Sequence, residues 1–436
     1  MAAAALYSSC LWVFSKLVLE WLDATGQAGA VGRNRKAIVI GGGVVGVTTA
    51  HALARSGWAV RVVDRCAEVA QEASWGNGRQ LSYSHATALA SPGLVRQMPG
   101  LLLGYSDAFR MTLHGREGYL RWLARFLTQC LPAPSKRNTL AILRLAEESR
   151  LAMDDLLARH TIEFGRATTG KLIVLTHQRE VEAALPILAA KRRAGLAQDL
   201  LSPDQAYEIE PALVHSADPI SGALYAPGDE TGDCHAFTVA LMRLTEGRYG
   251  ARFIGGTKAT HLSRLKGKVG IGLESGEFLH SDLVVVASGH AANDMLAPIG
   301  YRLPIQPMKG YSFTAPLGTA APKVSITSGK RRIVFTHCGD RMLVAGLAEM
   351  GRVDCRVDPQ RLQAMIASAR AALPEAALYS EADQGWVGLR PMTPTSQPVI
   401  GMVGPGIAVN VGHGMLGWTL AMGAAERLSR AVGEAF

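Results

Sequence analysis

Residues 36–40 read KAIVI, and GGGVVG follows at once at positions 41–46. A short β-branched run with no polar face is a strand covered on both sides, as in the middle of a parallel sheet. Residues 47–56 continue with helical spacing, Gly57 closes the helix, and residues 59–63 form a second β-rich run that ends at Asp64. This strand–turn–helix–strand unit constrains the fold more than any other feature of the chain. Gly41 permits the tight turn, Gly43 lets the backbone approach a pyrophosphate, and Gly46 allows close helix–strand packing. The helix start offers free N–H groups and a positive dipole end to phosphate. Asp64, 18 residues beyond Gly46, can accept hydrogen bonds from ribose hydroxyls and would repel a 2′-phosphate. The bland alternative is a Gly-rich turn with no ligand. NAD and FAD share this fingerprint, so it does not choose between them.

The next stretch, EASWGNGRQ at 72–80, is polar, small and Gly-rich, which suits further contacts to phosphate and a flavin ring. An NAD-type domain would carry on with βα units. This chain runs instead into helical material at residues 139–160 and 181–194. Strands are expected at residues 171–175, 222–225, 252–254, 269–273 and 283–286, the last entering Ala287-Ser288-Gly289 beneath a cofactor. Residues 311–314, 332–336 and 341–345 have no crossover helices between them and read as antiparallel sheet. A second strand, Gly-rich turn and helix recur at 409–432, around Gly412, Gly414, Leu416 and Gly417. The nucleotide-binding pieces therefore lie at both chain ends. The fold class is α/β: a Rossmann-type dinucleotide-binding domain interleaved with an α+β substrate domain built on an antiparallel sheet. The expected division is 1–35 as an N-terminal extension, 36–90 with 215–300 and 380–436 as the nucleotide domain, and 91–214 with 301–379 as the substrate domain.

The chain has 436 residues and a net charge of +9, which favours anionic partners. Nucleic acid is not expected, because the basic groups at 33–36, 191–193 and 330–332 are short and lack interleaved aromatics. The six cysteines show no zinc-ligand spacing, so no metal is expected, and they read as free thiols in a reducing compartment. Residues 6–22, LYSSCLWVFSKLVLEWL, are interrupted by Lys16 and Glu20 and fall short of a membrane span. On a helical wheel they form a wide apolar side with interfacial aromatics. That helix can lie in a membrane surface, with Arg33, Arg35 and Lys36 drawn to anionic lipid. Docking on the protein's own core, or an extension without function, remain alternatives.

Several stretches carry a family likeness: 41–46 with Asp64, the segment 74–80, DETGDC at 229–234, MKGY at 308–311, GLRPMTP at 388–394 and GHGMLGW at 412–418. Together they closely resemble the FAD-dependent D-amino acid dehydrogenase (small subunit) group of the D-amino acid oxidase and glycine oxidase family. The likeness covers residues 36 to 432. It implies a two-domain flavoprotein that oxidises a D-amino acid to an imino acid, which water converts to a 2-oxo acid and ammonia. Electrons are implied to pass to a respiratory acceptor such as a quinone, with the protein cytoplasmic and peripheral on the inner membrane face. Glycine, D-arginine and D-hydroxyproline dehydrogenases share much of the pattern, and an NAD-dependent dehydrogenase is the rival from the fingerprint alone.

The resemblance also implies roles. Arg390 matches the arginine that anchors the substrate carboxylate; a guanidinium pairs with it bidentately and turns Cα–H toward the flavin. Tyr311 is a candidate to supply a hydroxyl to the substrate. His413 and His85 are candidates to flank the flavin, and Lys309 to hold a water beside it. The expected cofactor contacts are Gly41, Gly43, Val44, Val45, Gly46, Asp64, Arg65, Ser74, Asn77, Gln80, Ser288, Gly289, Gly388, Gly412, Gly414, Leu416 and Gly417. Some family members attach flavin through a cysteine in the segment matching 388–394. This chain has none there, so non-covalent FAD is expected. The segment LSYSH at 81–85 departs from the Pro-rich loop usual in the group, which leaves the preferred substrate size open.

Overall fold

In the computed structural model, which describes residues 35–95, 109–112, 118–193, 197–265, 268–351 and 353–436, Lys36–Ile40 is a central strand. It pairs in parallel with Ala59–Val63 on one side and Leu283–Val286 on the other. The six-stranded sheet runs Val399–Gly404, Ile407–Val411, Leu283–Val286, Lys36–Ile40, Ala59–Val63, Arg252–Ile254. Only the edge hairpin, Val399–Gly404 with Ile407–Val411, is antiparallel. Period-two alternation splits the central strand between two cores. Ala37 and Val39 join helices Val44–Arg55, Cys234–Tyr249 and Gly417–Ala435, through Val47, Phe237 and Leu420. Ile38 and Ile40 face the small antiparallel sheet Ala259–Leu265, Lys268–Leu273 and Phe278–Ser281. Coverage on both faces is why KAIVI has no polar side.

The second sheet is larger. Its order is Trp386–Met392, Gln306–Pro316, Arg341–Met350, Ile333–Cys338, Ser325–Ser328, Lys171–Leu175, Gly222–Ala226, Asp199–Leu201, with Phe109–Met111 beside Arg341–Met350. The antiparallel pairing expected for its centre is present. Two pairings are parallel: Ser325–Ser328 with Lys171–Leu175, and Phe109–Met111 with Arg341–Met350. One face packs on helix Pro359–Ala372 through Tyr311, Phe313, Val344 and Met365. The other face meets the segment that follows the first βαβ unit, where Ser312 Oγ donates to Gly76 O at 2.6 Å and Thr336 Oγ1 to Gly78 O at 2.9 Å.

Some elements differ from the sequence reading. Gly222–Ala226 and Trp386–Met392 fall inside the segments expected for the nucleotide domain but are strands of the large sheet. Their partners, Lys171–Leu175 and Gln306–Pro316, decide this, and partnership is a non-local property. The helix expected at 139–160 is Pro132–Arg159; it begins earlier because proline suits a first helical position. The second helix is Gln178–Arg193. Helix Tyr119–Gln129 is an addition. The amphipathic helix expected at 6–22 lies outside the described residues.

A buried ion pair joins helix Pro359–Ala372 to the large sheet. Arg361 Nε meets Glu349 Oε1 at 2.7 Å, with both side chains at most 5% exposed, and Tyr311 OH donates to Glu349 Oε2 at 3.4 Å. Removing one partner of such a pair leaves an uncompensated charge in the core. Glu349→Ala is expected to lower unfolding free energy by about 3–5 kcal/mol, read from a denaturant midpoint shift at unchanged slope.

Candidate active site

The cavity between the two sheets has a volume of about 1200 Å³ and is lined from both chain ends. At one end, Gly41 has φ +116°, and a Cβ there would sit 2.6 Å from Ala287 O. A Cβ on Gly46 would sit 1.8 Å from Gly41 O, so only glycine lets the helix rise this close to the strand. Gly46 itself does not line the cavity; it sets the packing. Gly41, Gly43, Val44 and Val45 do line it, which turns the helix start to the cavity. Ser74 Oγ accepts from Val44 N at 3.0 Å, closing one of the free amides. Asp64 Oδ2 accepts from Gly42 N at 2.5 Å and Oδ1 from Cys66 N at 2.7 Å, which fixes its rotamer at the cavity wall. Arg65 lines the wall too, with its guanidinium paired to Glu72. Ser288 and Gly289 complete this end.

Farther along lie Asn77, whose Oδ1 accepts from Arg79 N at 2.8 Å, and Gln80. Gln80 Oε1 accepts from Lys171 Nζ at 2.8 Å, and its Nε2 donates to Ser325 Oγ. Gly412 and Gly414 have φ +85° and +57°, so the turn carrying His413 requires glycine on each side. Gly412, Gly414, Leu416 and Gly417 line the cavity, bringing the start of helix Gly417–Ala435 to it.

The far end is built on the large sheet. Trp386, Gly388 and Arg390 alternate along one face of Trp386–Met392. A Cβ on Gly388 would lie 2.1 Å from the Trp386 ring, and one on Gly76 would lie 2.5 Å from it, so the indole is sandwiched between two glycines. A Cβ on Gly310 would lie 2.3 Å from Arg390 Cζ; the guanidinium lies over bare backbone. Among the described residues no carboxylate pairs with Arg390, and its one hydrogen bond is a long one, Nη1 to Leu347 O at 3.5 Å. Burial lowers its pKa to about 10, so it stays charged at neutral pH. A desolvated cation without a counter-ion is costly until an anion arrives. Burial also lowers His413 to about 3, leaving a neutral imidazole on the cavity wall.

Two expected residues are elsewhere. Tyr311 does not line the cavity: on Gln306–Pro316 it alternates with Gly310 and Ser312, which point to the opposite face of the strand, Gly310 beneath Arg390 and Ser312 onto Gly76 O. Its ring is in the core beneath the sheet. Lys309 shares that side, with Nζ 5.3 Å from the Tyr311 ring centre and bonded to Asp354 Oδ1 and Arg356 O. It is not a cavity residue. His85 does line the cavity, held by Gln198. Sequence reasoning missed Lys171, Thr327, Arg332, Trp386 and Asn410 on the wall. Two had a signal: Lys171 opens an otherwise apolar strand, KLIVL, and Asn410 interrupts IAVNV. Burial lowers Lys171 to about 8, and its ammonium is held by Gln80 and Ser82.

Four buried polar atoms on this wall have no partner among the described residues: Ser288 Oγ, Thr327 Oγ1, Asn410 Oδ1 and His413 Nε2. Buried polar atoms are normally satisfied, so such a row marks where a polar ligand makes its contacts. With an open helix start, a carboxylate at the strand end and a cavity spanning both sheets, the residues fit a dinucleotide with a second ring system. A family model described as FAD dependent oxidoreductase matches residues 36–431.

The chain belongs to the FAD dependent oxidoreductase family. A D-amino acid dehydrogenase of Cereibacter sphaeroides is 37% identical over 398 residues, covering 90% of each chain. D-amino acid dehydrogenase 2 of Pseudomonas aeruginosa is 34% identical over 410 residues, covering 92% of this chain and 95% of its own. Glycine oxidase from Bacillus cereus superposes with a TM-score of 0.69 at 22% identity, over 92% of this chain and 95% of its own. L-proline dehydrogenase from P. horikoshii gives 0.66 at 20% identity, over 92% and 93%. These superpositions bear on the fold of this FAD-dependent oxidoreductase, and the NAD-dependent alternative falls with the family. Asp64→Ala is expected to weaken FAD binding by about 1–3 kcal/mol, through loss of a charged hydrogen bond to ribose. Titration of the apoprotein with FAD measures it, and an unchanged dissociation constant would remove Asp64 as the ribose ligand.

Proposed function

We propose that this oxidoreductase converts D-amino acids to 2-oxo acids and ammonia. One observation carries the reading: Arg390 stands on the cavity wall over Gly310 with no acidic partner among the described residues. A planar, desolvated guanidinium is suited to bidentate capture of a carboxylate. The relatives named D-amino acid dehydrogenase supply the substrate class.

Gly41, Gly43, Val44 and Val45 would face the pyrophosphate, and Asp64 the ribose. Ser74, Asn77, Gln80, Ser288, Gly412, Gly414 and Leu416 would line the remainder of the flavin. Bound FAD supplies the two-electron acceptor for the Cα–H hydride. Arg390 holds the substrate carboxylate and fixes the direction of Cα–H. His413, being neutral, offers Nε2 as a hydrogen-bonding atom without competing with Arg390 for the anion. Trp386, between Gly76 and Gly388, walls off water. The amine proton leaves to solvent, and the imino acid is hydrolysed after release.

Among the described residues lining the cavity the carboxylates are Asp64, Glu72 and Asp294, all on nucleotide-binding segments. A cationic side chain, as in D-arginine, would find none of these three beside Arg390. This favours a neutral substrate side chain. The acceptor we assign is a quinone, with peripheral contact to the inner membrane face through residues 6–22. No described helix is long and apolar enough to cross a membrane. Of the nearby basic residues, Arg35 already donates to Phe436 O at 2.6 Å, which leaves less of that cluster for lipid than its charge suggests.

The flavin is held non-covalently. The two cysteines on the cavity wall, Cys66 and Cys355, lie near the Arg65–Glu72 pair, at the nucleotide end. Acid precipitation is expected to leave all FAD in the supernatant; yellow colour in the pellet would contradict this.

Arg390→Leu is expected to cost ~3–5 kcal/mol of substrate binding in the transition state, on the order of 10²–10³ or more in kcat/KM. Arg390→Lys recovers part, because ammonium lacks the two-pronged geometry. Both variants retain FAD. Stopped-flow flavin reduction by a D-amino acid at subsaturating concentration decides it: a near-parental rate in Arg390→Leu, with FAD bound, removes Arg390 from the site.

A further inference from the structure

Helix Tyr119–Gln129 buries Tyr119, Trp122 and Phe126 against Leu94, Phe109, Met308 and Met392. Trp122 Nε1 donates to Met392 O at 3.0 Å, two residues from Arg390. Leu94 and Phe109 line the cavity, so this helix backs its substrate end. Its outward side is unusual. Leu120, Leu127 and Leu131 are 62%, 38% and 58% exposed. Leu120, exposed Ala124 and Leu127 are spaced i, i+4 and i+7, a single stripe about 30° to either side of one direction at 3.6 residues per turn, and Leu131 stands in the turn that follows the helix. Arg121 and Arg125, also exposed, follow that stripe along one flank. Lys136 and Arg137, in the first turns of helix Pro132–Arg159, are exposed just beyond Leu131. None of these four cations has an acidic partner among the described residues, and residues 119–146 contain no Asp or Glu.

We propose that this face is a docking surface for an anionic lipid bilayer. An amphipathic helix with leucines outward and a cationic flank lies in a membrane interface with its apolar stripe in the acyl boundary. Each cation near an anionic surface adds about fivefold to partitioning (about 1 kcal/mol). The surface has the apolar stripe and the single sign of charge that a headgroup layer complements, and residues 119–146 bring no acidic group to repel it. It is separate in sequence from residues 6–22 and does not depend on the reaction assigned above. Docked this way, the protein turns the substrate end of its cavity toward the bilayer, where a lipid-soluble acceptor dissolves.

The full chain is floated with vesicles of phosphatidylcholine alone or mixed with phosphatidylglycerol. The parent is expected to float with the mixed vesicles, less with the neutral ones, and to be released by salt. The variant Leu120→Ser/Leu127→Ser/Leu131→Ser and the variant Arg121→Gln/Arg125→Gln/Lys136→Gln/Arg137→Gln should each float at least fivefold less. All these side chains are exposed, and the bound-flavin spectrum with D-amino acid reduction in solution checks folding in the same samples. Parental flotation of both variants, or no parental flotation with mixed vesicles, overturns the proposal. Residues 1–34 are the same in parent and variants, so the comparison reads the helix face alone, and flavin reduction in the same samples keeps either failure apart from the catalytic assignment.

Discussion

A Cβ on Gly46 would stand 1.8 Å from Gly41 O, and that impossibility sets the angle between the first strand and the first helix. With no side chain between them, the helix start is pressed to the carboxyl end of the parallel sheet, where ligands of such folds bind. The ends of the neighbouring strands converge there too: Asp64 follows Ala59–Val63, and Ser288 follows Leu283–Val286. The same device recurs at the far end of the cavity. Gly76, Gly388 and Gly310 remove the side chains that would lift Trp386 and Arg390 off the wall. The cavity is thus shaped by backbone approach at both ends.

The carboxylates of the wall are gathered at one end. Asp64, Glu72 and Asp294 belong to nucleotide-binding segments, where Arg65, Arg79 and Lys258 also stand, while Lys171 and Arg390 come from the large sheet and Arg332 from the turn before Ile333–Cys338. Burial pulls Lys171 and Arg390 down without neutralising Arg390. The field across the cavity therefore favours an anion at the substrate end, whatever the net charge of the surface.

The nucleotide end could be read from sequence because its signal is local. Strand, glycine turn, helix and acid lie within 29 consecutive residues, and each has a backbone reason. Arg390 came from motif likeness, and the structure adds the bare glycine beneath it. Tyr311 shows the limit. Its motif neighbours pointed to the site, but strand parity puts Gly310 and Ser312 on the face toward Arg390 and Gly76 and the tyrosine in the core. Parity follows only once the face of the sheet is known. The strand expected at 222–225 is present, but it and Trp386–Met392 join the large sheet instead of the nucleotide segments for a related reason, since membership of a sheet is decided by a partner far along the chain. Lys171 was hidden by its strand: a lysine at the edge of KLIVL looks like a solvated end until Gln80 and Ser82 close around it.

The interleaving of the two sheets has a consequence during synthesis. The parallel sheet pairs Leu283–Val286 with Lys36–Ile40, and Ile407–Val411 with Leu283–Val286. Ile407 follows Lys36 by 371 residues. At about 5–20 residues per second, the opening strand waits roughly 20–70 s for the sheet to be completed. Until Leu283–Val286 and then Ile407–Val411 arrive, a β-branched edge is uncovered, the kind of surface on which nascent chains associate wrongly. Holding apart such a strand until its last neighbours emerge is work for a chaperone, and the yield of this protein in a cell would track the supply of one.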